Sequence, residues 1–114
     1  MLKGIDINEI IEYVSSQDKS DSPTKFLIKN ISVKSKMSLF SGVVDSQGGF
    51  DLSKMQDKAL DIFKAGIKEV RNLNGVDYKE ITDEVIDKIP FTIVIELVGK
   101  ILEFNFASEG ETKN

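Results

Sequence analysis

The sequence predicts an α+β domain, an N-terminal two-stranded β-hairpin packed on three to four α-helices, the last of them covering about residues 90–106. Three patterns carry this reading. In TKFLIKNI, Phe26 and Ile28 alternate with Lys25 and Lys29, the two-residue period of a half-buried strand. In LSKMQDKALDIFKAGIKEVRNL, residues 52–73, apolar side chains recur every three or four positions, as on an amphipathic helix. In PFTIVIELVGKILEFNF, Glu96, Lys100 and Glu103 form one polar stripe if the segment is helical, but fall on both faces if it is a strand.

The first strand is IIEYVS, residues 10–15, rich in β-branched and aromatic side chains, and the polar linker SQDKSDSP joins it to the second. Ser32 then caps a helix in which Val33, Met37, Phe40 and Val44 repeat at helical spacing, and which fails by DSQGGFD at Gly48 and Gly49. No Gly-Lys-Ser/Thr follows those glycines, so they read as a loop and not a phosphate cradle.

Asp51 or Ser53 caps the long second helix. Its inward stripe is Met55, Ala59, Ile62, Phe63, Gly66, Ile67 and Val70, and Lys54, Asp57, Lys58, Asp61, Lys64 and Lys68 make a solvated face of mixed sign. Asn74-Gly75 either ends that helix or forms a tight turn into an extended VDYKEI. Thr82 caps a short helix with Asp83 and Glu84 in its first turn, Val85, Ile86 and Ile89 inward, and Pro90 as its stop.

The alternative for the last segment is a hairpin, FTIVIELV and ILEFNFAS around Gly99-Lys100, but the helix accounts better for the charges. Its remaining surface is apolar over more than half a turn, so the helix is expected to be buried on two sides or to offer a partner surface. Leu97, Ile101, Phe104 and Phe106 are the candidate partner-binding residues, and Gly66 and Gly99 suggest a close approach of the two longest helices. Residues 1–107 read as one domain, and 108–114 as a disordered acidic tail.

Composition narrows the function. The chain has 114 residues, a formal net charge of −4, and neither cysteine nor histidine. It therefore lacks thiolate nucleophiles, disulfides, and the side chain that titrates near neutral pH and most often ligates metals. Its serines have no histidine to activate them, and Asp77, Glu80, Asp83 and Asp87 do not form an ordered cation-binding loop. No enzyme, cofactor or metal site is expected. Lys25, Lys29, Lys34 and Lys36 make a local basic run, yet the acidic balance and the lack of an aromatic or arginine-rich pattern argue against nucleic acid. There is no signal-like or membrane-spanning apolar run, which points to the cytoplasm.

Two blocks, KGIDINEIIEYVSSQDKSDSPTKFLIKNISVKSKM and TDEVIDKIPFTIVIELVGKILEFNFASEGETKN, resemble small bacteriophage tail assembly chaperones or tail accessory proteins. That resemblance implies a non-catalytic α+β domain with a C-terminal helix. Its partner would be a tape-measure or tail-tube protein, bound through apolar surface in the host cell cytoplasm. The alternative is a structural virion component, such as a head–tail completion or auxiliary capsid protein, in which the same surface joins copies in a homo-oligomer.

Overall fold

The structure, a computed structural model, describes residues 1–43, 49 and 51–110, with the side chains of 52 and 107–110 left aside. Along the described chain run β1 (Ile10–Val14), β2 (Lys25–Lys29), α1 (Val33–Leu39), α2 (Leu52–Asp57), α3 (Ala59–Gly66), β3 (Ile67–Leu73), β4 (Val76–Tyr78), α4 (Asp83–Asp87) and α5 (Phe91–Gly110). The strands form one antiparallel sheet in the order β1-β2-β3-β4.

The α+β class stands, but the expected architecture is corrected. The strands are spread along the chain with helices between them, and β2 pairs on its second edge with β3. An isolated hairpin would leave that edge open, and two strands are marginal without further pairing.

The correction lies in residues 67–73, expected to be the end of the long helix. Leu27 pairs with Glu69 and Ile28 with Ile67, so the register slips by one residue at Lys68. A second irregularity lies between Val70 and Leu73, where Asn72 takes a positive φ of 62°. Each bulge places inward residues three apart rather than two, so Ile67, Val70 and Leu73 all reach the core with a spacing that imitates a helix. Asn72 is held in its left-handed conformation at both ends. Its backbone N–H donates to Asp77 Oδ1 (2.9 Å) and its side-chain amide to the Ser22 carbonyl (2.8 Å). Asn74 and Gly75, with φ of 53° and 81°, form the tight turn from β3 into β4. The helical part of the segment is also divided, because Lys58 leaves helical geometry (φ −110°, ψ 10°) between α2 and α3.

The remaining elements follow local chemistry. Ser32 Oγ accepts from the Ser35 N–H at the start of α1, Asp51 Oδ1 from Ser53 and Lys54 at α2, and Thr82 Oγ1 from Val85 at α4. Such caps contribute about 1 kcal/mol each. The Pro90 carbonyl accepts the first bonds of α5 from Ile93 and Val94, and the segment is a helix. Val94, Leu97, Val98, Ile101, Leu102 and Asn105 are its buried positions. This helix is covered on two sides, by α3 and by the sheet at β2. The tail expected at 108–114 overlaps the last turn of α5, and 111–114 lie outside the described residues. Val44 and Gly48 also lie outside them.

Gly66 closes the contact between α3 and α5, though not against Gly99. A Cβ on Gly66 would fall 3.0 Å from Ile101 Cδ1 and Cγ1 and closer still to Cγ2, whereas one on Gly99 meets nothing within 4 Å. The two substitutions should therefore act in opposite directions. Gly66→Ala is expected to lower stability by roughly 1–3 kcal/mol through overpacking. Gly99→Ala should raise it by about 0.5–1 kcal/mol through helix propensity. Urea unfolding midpoints measure both, and equal effects of the same sign would contradict this packing.

Candidate functional site

The densest polar constellation joins α5 to the end of β1. Glu96 is half-buried, and its carboxylate accepts from Tyr13 Oη, Ser15 Oγ (2.7 Å), the Ser16 N–H (3.0 Å), Ser16 Oγ (3.3 Å) and Gln17 Nε2 (3.0 Å). Thr92 Oγ1 donates to Gln17 Oε1 (3.0 Å), so the loop after β1 is tied to two successive turns of α5. Lys100 Nζ sits 5.6 Å from the centroid of the Tyr13 ring and 3.5 Å from Glu103. The expected polar stripe of Glu96, Lys100 and Glu103 thus exists, but its first member turns toward the sheet.

The proton states follow from this crowding. Burial alone would raise the Glu96 pKa, but the donors of Tyr13, Ser16, Ser15 and Gln17 outweigh it and hold the carboxyl at about 2. Burial, followed by the bond to Glu96 and the nearby Glu96 and Glu103 charges, pushes the Tyr13 phenol up to about 12. Near neutrality the carboxylate stays charged and the phenol stays protonated. This pair fastens an element in place and is poorly matched to proton transfer at pH 7.

A second clamp is the fully buried Asn105. Its Oδ1 accepts from the Ile31 N–H (2.7 Å), and its Nδ2 donates to the Ile101 carbonyl (2.8 Å) and the Lys29 carbonyl (3.4 Å). It satisfies the backbone where the chain leaves β2, which no regular ladder reaches.

Leu97 and Ile101, expected to bind a partner, are 0% exposed. Each such side chain contributes about 1.5–3 kcal/mol by burial, so presenting them to a partner would first forfeit that stabilisation. Phe104 and Phe106 are half-buried against the same core, and the Phe106 ring lies 5.1 Å from that of Phe40.

The accessible apolar surface is elsewhere. Val33 and Met37, which share a helical spacing with Phe40, are 67% and 75% exposed, while Phe40 is buried. α1 is only seven residues long and is docked at its C-terminal end, where Phe40 meets Phe106 and Lys58 Nζ donates to the Ser38 and Ser41 carbonyls. At its other end α1 follows directly on the buried Ile31, while Val33 and Met37 face outward. Phe91, at the start of α5, is 69% exposed. The spacing of Val33 and Met37 was visible in the sequence, but it could not tell a core stripe from an outward one.

Other surfaces are polar. An open cleft of about 380 Å³ is lined by Asp21, Ser22, Pro23, Lys25, Arg71 and Asn72, where Arg71 pairs with Glu69 at 2.7 Å. Another of about 340 Å³ lies beside Asp77, Glu80, Thr82 and Glu84. Asp83, one of the carboxylates considered for a cation, pairs with Lys64 at 2.5 Å. Among the described residues no group of three or more acidic side chains converges to hold a metal ion, and no helix is long and apolar enough to cross a membrane. Comparison with protein-family models, curated proteins and solved structures finds no match.

The Glu96 clamp predicts a particular pH profile. Glu96 is depressed from 4.5 to about 2, so its contribution is complete above pH 4.5 and is lost as pH falls toward 2. Tyr13 is raised from 10.0 to about 12, so its contribution is complete below pH 10 and is lost as pH rises toward 12. Glu96→Gln should lower stability at pH 7 by roughly 1.5–3 kcal/mol and flatten the acid limb. Unfolding followed across pH checks this, and an unchanged acid limb would contradict the assignment.

Proposed function

We propose that this chain is a non-enzymatic protein-binding domain that assists bacteriophage tail assembly, covering apolar surface of a tape-measure or tail-tube protein in the host cytoplasm. The observation that carries the binding role is the outward apolar face of α1, where Val33 and Met37 stand one turn apart in solvent. Single exposed apolar residues are ordinary, but a stripe at helical spacing that continues into the core through Phe40 is the arrangement a partner helix recognises. The phage setting rests on the resemblance of the two terminal blocks. The non-catalytic reading is supported by the Glu96 cluster, whose proton states lie far from neutrality.

One observation favours a second reading, a structural component of the virion. β1 ends the sheet, so its outer edge is open to pairing with another copy. Glu12, at the centre of that edge strand, opposes a symmetric pairing of two β1 strands by placing like charges close together.

Affinity capture of the tagged chain from phage-infected cells, with light scattering of the free protein, separates the two. The assembly role predicts capture of a long tail protein and a free monomer or dimer. A large symmetric oligomer that captures only itself, capsid or connector proteins would replace it with the structural role.

A further inference from the structure

We propose that the exposed face of α1 docks an acidic amphipathic helix of the partner protein, an inference that rests on the protein-binding reading above. Val33 and Met37 are the exposed members of a row that continues through the buried Phe40 to the half-buried Phe106. The row is a ledge anchored in the core at one end. A ridge of side chains four residues apart fits the groove between side-chain rows of a second helix.

Charge selects the kind of helix. Residues 22–44 are the longest stretch of the sequence without an aspartate or glutamate, in a chain whose formal net charge is −4. Lys34, on α1, is exposed and forms no ion pair among the described residues. Lys36 Nζ donates to the Asn105 carbonyl (3.3 Å) and belongs to the seating of α1 on α5. Lys58 adds a second cation at the C-terminal end of α1, on the Ser38 and Ser41 carbonyls. An occupant with glutamates flanking its apolar stripe meets complementary charge here, whereas a basic helix meets like charge.

Neither exposed side chain holds the domain together, so both can be replaced without loss of fold, as thermal unfolding will verify. The probes are two short amphipathic helical peptides with the same leucine spacing, one flanked by glutamate and one by lysine. Each is titrated into the isotope-labelled full chain and followed by NMR. The glutamate peptide should shift the amides around Val33, Lys34 and Met37, and bind about tenfold or more tightly than the lysine peptide at low salt. The double substitution Val33→Asp with Met37→Asp should abolish those shifts, and Lys34→Glu should weaken binding about threefold or more.

Equal binding of the two peptides, shifts mapping to other elements, or no binding of either would overturn the proposal. So would stronger shifts of the same amides by a DNA duplex. Capture from infected cells distinguishes this failure from that of the broader reading. A tail protein retained equally by wild type and by the double variant leaves the binding role standing and removes α1 as its surface.

Discussion

The structure depends on how α5 is fastened to the sheet. α5 supplies the largest share of buried apolar side chains outside the strands, and two polar side chains fix its position at separate points. Glu96 gathers the end of β1 and the loop beyond it, and Asn105 receives the Ile31 N–H just after β2. Apolar packing alone tolerates sliding, because a helix face is a repeating set of knobs. Directional hydrogen bonds with buried partners do not, since each misplaced group would be left unsatisfied. The clamps thus set the register on which the Gly66–Ile101 contact and the seating of Phe40 on Phe106 depend.

This arrangement moves the functional question away from α5. Its apolar excess suggested a binding surface, yet α3 and the sheet use most of it. Among the exposed apolar side chains, Val33 and Met37 lie together on the short helix α1. A domain built this way has a small apolar ledge that can be mutated separately from its buried frame.

The parts of the fold legible in the sequence were those with one local explanation. β1, β2, the Thr82 cap and the helical nature of the segment after Pro90 follow from alternation, capping and the spacing of Glu96, Lys100 and Glu103. β3 was not legible, because its two bulges bring Ile67, Val70 and Leu73 inward at intervals of three. Its polar neighbours Lys64 and Lys68, four apart, completed the imitation of a helix. Asn74-Gly75 was the available contrary signal, a turn pair better suited to a hairpin than to a helix end. The clamps were illegible for another reason. Tyr13 and Glu96 are separated by 83 positions, and nothing in either neighbourhood specifies the other. Outward and inward apolar stripes look alike until the neighbouring elements are known, so spacing alone could not show that Val33 and Met37 face outward, nor that the expected partner-binding residues Leu97 and Ile101 are buried.

The most direct measurement is native-state amide hydrogen exchange by NMR, comparing α5 with the central strands. If α5 is a clamped core element, the amides of Leu97, Ile101 and Leu102 should exchange only through global unfolding, together with Phe26, Ile28 and Val70. The Ile31 amide, bonded to the Asn105 side chain, should share that protection. Exchange of α5 through a separate, lower-energy opening that leaves β2 and β3 protected would contradict the account. It would make α5 detachable, and return Leu97 and Ile101 to the residues that can meet a partner.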